Sequence, residues 1–187
     1  MSGEALCAGC GVVLPEFDGP THPYIGASPA CWALYGELLA YEYGELGYPE
    51  CHRLTVDAYA AQHPGKREPR SIRSVATHLS GLYLVLERGF DGPAATALKN
   101  RVVAADPGFK WLNPPATDGA LTVQDVLEMR REMPHCDAVE AWARSVWDAW
   151  ELHHSTVRDW VEGALEKVGQ NNLRTPDGLP KAPQQGN

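Results

Sequence analysis

The fold class follows from residues 137–168, which have the sequence DAVEAWARSVWDAWELHHSTVRDWVEGALEKV. Large side chains recur in this stretch at steps of three and four residues, the spacing of one face of an α-helix. The stripe consists of Val139, Trp142, Val146, Trp150, His153, Val157, Trp160 and Ala164. This pattern predicts one long amphipathic helix, and with it an all-α fold built around a four-helix-bundle-like core.

The other helices are predicted from the same periodicity and from capping residues. Ser28 and Pro29 are typical of an N-cap and a first helical position, so the first helix is expected from there to about Gly44. Further helices are expected at about residues 55–62, 71–88, 94–105 and 123–132, and residues 106–121 are expected to form a loop. No strand-like alternation is visible.

The chain is predicted to form one domain, residues 1–168. Its first 28 residues are rich in glycine and proline and are expected to form a loop-rich lobe. Residues 169–187 are polar, contain prolines and lack periodicity, so a disordered C-terminal tail is predicted.

Composition and charge exclude some classes of function. Of the 187 residues, 44% are hydrophobic, which is enough for a real core, and no apolar run approaches the ~18 residues that cross a membrane. The first residues lack the features of a signal peptide, so a cytoplasmic protein is expected. A net charge of −8 argues against a nucleic-acid partner. The basic segment from Lys66 to Arg73 is an exception, interpreted as a solvated loop with anion binding as the alternative.

The cysteines favour metal binding. Cys7 and Cys10 form a C-x-x-C followed by glycine, the form of a zinc knuckle, and thiols in the cytoplasm stay reduced. With Cys31 and one more donor they would complete a closed tetrahedral zinc site, although Cys31 as a small buried hydrophobe is the alternative. His22, Cys51 and His52 are the candidates for that donor. Cys136 is interpreted as an incidental thiol.

Two histidines suggest a metal ion inside the bundle. His78 and His153 lie in the inward stripes of two predicted helices, and a buried imidazole without a partner costs about 1–3 kcal/mol. A shared ion would satisfy both, with a third ligand from His52, Asp57 or His63, although each ring could instead be an ordinary core histidine. Asp57 could also orient an imidazole without binding the ion.

Several motifs together resemble the bacterial family of uncharacterised proteins DUF5946, over about the first 90 residues. They are C-x-x-C at Cys7, Asp18 to His22, Ser28 to Trp32, His52 with Val56, Asp57, Tyr59 and Gln62 to Gly65, and Ser74 with Val75, His78 and Leu79. The resemblance implies no activity. It does imply that these cysteines and histidines belong to one motif set. This favours a metal site over a chance occurrence of these residues.

A more distant likeness is to DinB-like metal-binding bundles, in which three histidines hold a divalent ion. His78 and His153 resemble two of those ligands. The likeness is incomplete, because Val157 stands where that group places a second histidine on the same helix.

Two functions are compatible with these residues. In the first, the protein is a metal-dependent hydrolase or thiol transferase or isomerase acting on a small polar substrate, with Asp57 or Glu37 as general base and Tyr59 as oxyanion donor. In the second, it is a non-catalytic zinc-binding module whose tryptophan-rich helix serves packing or dimerisation. A closed four-ligand shell favours the module, and an open coordination position favours the enzyme. Zinc is the expected ion, with another divalent metal as the alternative, and a non-haem iron site using Asp57 ranks below both.

Overall fold

The computed structural model describes residues 3–116 and 120–172. This part of the chain is helical apart from one two-stranded sheet, which confirms the all-α class. The elements are β1 (Glu4–Leu6), β2 (Val13–Pro15), α1 (Pro29–Gly44), α2 (His52–Gln62), α3 (Pro69–Leu86), α4 (Gly92–Ala105), α5 (Val123–Met129), α6 (His135–Ala149), a 3-10 turn (Glu151–His153) and α7 (His154–Asn172).

The N-terminal lobe contains a small β-hairpin that the sequence did not predict. Strands β1 and β2 are antiparallel, with Ala5 opposite Leu14. Each strand has three residues, too few for an alternating pattern to be visible. The loop between them carries the C-x-x-C, and Gly11 adopts a left-handed φ of 77° that closes the turn.

The predicted start of the first helix is confirmed. The Ser28 hydroxyl accepts a hydrogen bond from the backbone N–H of Cys31, and Pro29 is the first helical residue. Thr122 caps α5 with a capping box to Asp125. The remaining predicted helices are present with ends shifted by a few residues, as is usual for frayed termini.

The single long helix predicted over residues 137–168 is wrong. The chain interrupts it at Trp150 and a 3-10 turn, and α6 and α7 are separate helices. The ring of His154 stacks on Trp147 at 3.8 Å and its Nε2 donates to the Trp147 carbonyl, which stabilises the turn. The apolar residues of the stripe are buried on both sides of the interruption, because α6 and α7 each pack an apolar face against the core.

Only residues 169–172 of the predicted tail lie within the described residues. Helix α7 continues to Asn172, so residues 169–172 are helical, and the rest of the predicted tail lies outside the described residues. In the part of the chain that is described, no helix is both long and apolar enough to cross a membrane.

Helix α2 lies at the centre of the domain, packed between α3 and α6. Nine of its residues are buried, including polar ones such as Asp57 and Gln62. The Gln62 side-chain oxygen accepts from the indole N–H of the fully buried Trp142, and its amide donates to the Leu121 carbonyl. These bonds satisfy a polar group that would otherwise destabilise the core.

We expect Trp142→Ala to lower the free energy of unfolding by about 3–5 kcal/mol, because it leaves a large cavity and removes the hydrogen bond to Gln62. Leu152→Ala is the control, since Leu152 is 91% exposed and should change stability by less than about 0.5 kcal/mol. Urea denaturation measures both. Equal effects of the two substitutions would contradict the assignment of Trp142 to the core.

Candidate metal centre

Four potential metal ligands from three separate segments meet in one buried place. They are Cys7, Cys10, Cys31 and His63, and their ligand atoms all lie within 4.8 Å of one another. None of the four is more than 2% exposed. We call this group the thiol cluster.

Local structure explains how each segment reaches the thiol cluster. Cys7 and Cys10 flank the tight turn after β1, where the Cys7 carbonyl accepts from the backbone N–H of Gly11. Cys31 lies in the first turn of α1. His63 follows the last residue of α2, and its carbonyl accepts from the backbone N–H of Gly26, which attaches the lobe to the helix end.

The distances within the thiol cluster suit tetrahedral coordination. Two sulfurs bound to one zinc at ~2.3 Å lie about 3.8 Å apart, and a sulfur and a nitrogen lie slightly closer. The Sγ atoms of Cys10 and Cys31 are 3.7 Å apart, and Cys31 Sγ is 3.4 Å from Nε2 of His63. An ion at the centre therefore requires little movement of these side chains.

The imidazole of His63 is held in a suitable orientation. Its Nδ1 lies 2.7 Å from the Tyr59 carbonyl, to which it donates. That bond directs Nε2 at the sulfur of Cys31, and in the neutral ring it makes Nε2 the acceptor, an arrangement common among metal-binding histidines. The phenol ring of Tyr59 packs on the imidazole at 4.1 Å.

The thiolates also receive hydrogen bonds from their surroundings. The backbone N–H of Ser28 donates to Sγ of Cys7 over 3.4 Å, and the Tyr59 hydroxyl lies 3.6 Å from Sγ of Cys31. Tyr59 was predicted as an oxyanion donor, and its hydroxyl instead contacts a sulfur of the cluster. Burial and the neighbouring Cys31 raise the pKa of Tyr59, so it remains a donor.

Electrostatics prevent the three thiols from ionising together without a cation. Hydrogen bonds with Cys10 and Cys31 lower the pKa of Cys7 far below the ordinary thiol value. Hydrogen bonds with Cys10 and Cys7, together with burial, raise the pKa of Cys31. For Cys10 the hydrogen bond with Cys31 lowers the pKa, but the bond with Cys7 and burial outweigh it and raise the pKa to about 12. A cation bound among the three sulfurs would offset this charge and favour their thiolate forms.

The other histidine and cysteine proposed as fourth donors lie elsewhere. His22 packs against Tyr24 at 4.3 Å and Trp32 at 5.3 Å, and burial lowers its pKa. Cys51 forms a disulfide with Cys136. The interpretation of Cys136 as an incidental thiol is therefore wrong, since 85 residues of chain separate two cysteines that the fold brings together.

His52 belongs to a second group, which we call the Glu42 cluster: Glu42, Cys51, His52, Thr55, His135 and Cys136. The Glu42 carboxylate is fully buried and accepts from Nδ1 of His52 at 2.6 Å, from Nε2 of His135 at 2.8 Å and from the Thr55 hydroxyl at 2.5 Å. Burial acts to raise the pKa of Glu42, but these hydrogen bonds outweigh it and lower the pKa. Nothing in the sequence spacing signalled that Glu42 would be buried.

The structure does not bring His78 and His153 together in one group of ligands. Nδ1 of His78 donates to Asp57 over 2.7 Å, and the same carboxylate oxygen accepts from Nζ of Lys99 at 2.6 Å. His153 lies partly exposed in the 3-10 turn, with Nε2 2.9 Å from the Asn113 carbonyl. Among the described residues neither histidine belongs to a group of three or more potential ligands. The break after α6 is the reason, because it turns His153 out of the apolar stripe.

Asp57 accepts hydrogen bonds from His78 and Lys99, and its predicted roles as base, ligand or orienting carboxylate stay predictions. It is 2% exposed, and a Cβ at Gly81 would lie 2.0 Å from its Oδ2, so the glycine leaves room for the carboxylate. The sequence analysis did not identify Lys99 as a partner of Asp57, because the two residues are 42 positions apart in the chain. Glu37, the other candidate base, is exposed on α1.

Comparison with known proteins places the chain in a family. The family model described as a family of unknown function, DUF5946, matches residues 5–151 of the 187. The chain belongs to this family. The match is longer than the 90 residues over which the motifs were recognised, and it includes both clusters. No curated protein and no solved structure matches the chain, so the likeness to DinB-like bundles and the bacterial origin stay predictions.

We expect Gly9→Ala to weaken metal binding at the thiol cluster by about 10–100-fold, the effect of disturbing the support of a ligand. A Cβ there would lie 2.3 Å from Cδ2 of His63 and force the ring to move. Competition with a chromophoric chelator, using Zn²⁺ as the probe ion, measures the affinity.

Gly36→Ala is the matched control. It lies within α1, and an added Cβ meets no atom within 4 Å. It should leave the affinity unchanged and stabilise the fold by about 0.5–1 kcal/mol. Equal affinities for the two variants would contradict the placement of His63 in the site.

Proposed function

We propose that this protein is a zinc-binding helical module in which the thiol cluster holds a non-catalytic zinc ion. The observation that carries the proposal is the complete set of four protein donors, three sulfurs and one imidazole nitrogen, buried within mutual reach. This donor set is typical of structural zinc sites and leaves no open position for a water or a substrate. Metal-dependent catalysis at the thiol cluster is therefore not part of the proposal.

The ion would join the lobe to the bundle. Cys7 and Cys10 belong to the lobe, Cys31 to the start of α1 and His63 to the end of α2. Residues 3–28 contribute few fully buried apolar side chains to the core beyond the cysteines, chiefly Leu14. The free energy of metal binding would thus contribute directly to the stability of this part of the chain. The three thiolates and one neutral imidazole would give the site a net charge of −1 with Zn²⁺.

Metal analysis of untagged protein with the Cys51–Cys136 disulfide intact tests the proposal. We expect one zinc per chain in the wild type and none in Cys31→Ser or His63→Ala, because each removes a ligand. His153→Ala is the control and should retain the ion, since its ring donates to the Asn113 carbonyl and lies outside the thiol cluster in the described structure. Absence of zinc from the reconstituted wild type, or its retention by both ligand variants, would refute the assignment.

Removal of the ion should also destabilise the fold. A ligand present at about 1,000 times its dissociation constant contributes about 4 kcal/mol, which for a chain of this size corresponds to a Tm shift of about 8–16 °C. A strong chelator should therefore lower the Tm of the wild type by that amount and leave His63→Ala unchanged. An equal shift in both proteins would mean that the chelator does not act through the thiol cluster.

A second candidate function is acid–base chemistry on a small anionic substrate, favoured by the environment of His78. Its Nδ1 is held by Asp57, and its side chain is 20% exposed in a surface groove lined by Tyr24, Arg70, Arg73, Ser74, Thr77 and His78. A carboxylate that orients an imidazole beside cationic side chains is suited to general-base activation of a water. Asp57 would then be a positioning residue, and His78 the base. This groove includes the end of the basic segment noted in the sequence.

Titration with inorganic phosphate, followed by the NMR signals of the His78 ring, tests the groove. We expect saturable shifts in the wild type and in Arg101→Ala, an exposed arginine outside the groove, and binding at least ~10-fold weaker in Arg70→Ala. If an ester or phosphoester substrate is found, His78→Ala should reduce kcat by about 10²–10⁴-fold. Identical phosphate binding by both arginine variants would exclude the groove as the anion site.

A further inference from the structure

A second set of metal-binding side chains lies in the Glu42 cluster, apart from the thiol cluster. The ligand atoms of Glu42, Cys51 and His135 lie within 4.8 Å of one another. The sulfur of Cys136 is bonded to that of Cys51. One sulfur, a carboxylate and an imidazole are thus within mutual reach, and the sulfur of Cys136 is next to them through its bond to Cys51. The disulfide keeps both sulfurs from acting as thiolates.

We propose that the Glu42 cluster is a redox-controlled metal site. In the oxidised protein the Cys51–Cys136 disulfide closes it. In the reduced protein Cys51, Cys136, His135 and Glu42 bind one divalent ion that accepts sulfur, nitrogen and oxygen ligands, as zinc does. The helices α2 and α6 are cross-linked in both states, first by a covalent bond and then through the metal.

The redox step needs a reductant, for which a low-molecular-weight thiol is the natural class. One thiolate attacks a sulfur of the disulfide and forms a mixed disulfide, and a second thiol molecule resolves it. The two external thiols leave as their own disulfide, and Cys51 and Cys136 each gain one electron and one proton. Metal binding then releases the two thiol protons to water. A low-molecular-weight disulfide reverses the exchange: it accepts the two electrons and leaves as two thiolates, the Cys51–Cys136 disulfide forms again, and the ion is released.

The carboxylate of the Glu42 cluster is already positioned as a ligand. Oε2 of Glu42 accepts from His52, whose other nitrogen lies 3.1 Å from the Tyr43 hydroxyl, and Oε1 accepts from Thr55. Such hydrogen bonds orient metal-binding carboxylates. The ring of His135 is only 7% exposed, yet its Nδ1 is buried with no hydrogen-bond partner in the described structure. A buried imidazole nitrogen without a partner is an independent sign that a bonding partner is missing.

The two sulfurs lie where thiolates are stabilised. Cys51 is the residue before α2, and Cys136 is the second residue of α6. The N-terminal ends of both helices carry partial positive charge, which favours nearby anions. Two sulfurs on one zinc lie about 3.8 Å apart, a separation that side-chain rotation can reach from the disulfide without moving the helices.

The cluster is accessible to small reagents. A groove on the surface is lined by Glu50, Cys51, Arg53, Phe90, Pro93 and Cys136, among others, so the disulfide borders solvent. Access on this side also gives the metal a path to its ligands.

The test compares metal content before and after reduction of the folded protein. A phosphine reductant is suited to it because the phosphine has no thiol to compete for the ion; it takes an oxygen atom from water, and the two cysteine sulfurs gain two electrons and two protons. We expect one additional zinc per chain after reduction, measured at a free zinc concentration set by a competing chelator. With Co²⁺ as the probe, the gain should be accompanied by a new thiolate-to-cobalt absorption band.

Variants separate this site from the thiol cluster. Cys136→Ser and His135→Ala should lose the additional ion, and Glu42→Gln should bind it more weakly. Cys10→Ser, which affects only the thiol cluster, should still gain one ion on reduction, as should the histidine control His153→Ala. Because the readout is the difference between the two redox states, it remains valid if the thiol cluster binds no zinc.

Three results would overturn the proposal. The first is a disulfide that the phosphine cannot open in the folded protein. The second is an opened disulfide with no additional metal, which would make the Glu42 cluster a structural cross-link only. The third is an additional ion that Cys136→Ser retains.

Discussion

Confinement of three thiols and an imidazole in one buried space is the constraint on which the N-terminal third of this structure depends. Cys7, Cys10 and Cys31 cannot all become thiolates there without a cation, because burial and mutual repulsion raise the energy of each added charge. The lobe has little apolar surface with which to hold itself against the bundle. Its attachment at the end of α2 therefore relies on the chemistry of His63 and the sulfurs.

Helix α2 connects this constraint to the rest of the domain. Its first residue, His52, donates to Glu42, its middle residue Asp57 accepts from His78 and Lys99, and His63 follows its last turn. Two polar groups on this short buried helix, and a third directly after it, face three different neighbours. The position of α2 in the core is set by hydrogen bonds as well as by apolar packing. Its sequence therefore has only a weak amphipathic pattern.

Two of the predicted ligands have neighbours other than those expected from the sequence. His63 was one of three candidates for the third ligand of a bundle site, and it lies with the cysteines, beside Gly9 of the lobe. His153 was placed in an inward stripe, and the break at Trp150 turns it outward. Spacing along a helix predicts which residues share a face only while the helix continues. The interruption at Trp150 has no proline or glycine to signal it.

The sequence by itself determined the helical class, the capped start of α1 and three of the four members of the thiol cluster, because these follow from local periodicity, capping chemistry and close spacing. Only the tertiary structure decided that His63 completes that cluster and that Cys51 meets Cys136 beside a buried Glu42. Those contacts join segments as many as 93 residues apart, for Glu42 and His135. No local pattern encodes such a distance, since it depends on how α1, α2 and α6 pack against one another.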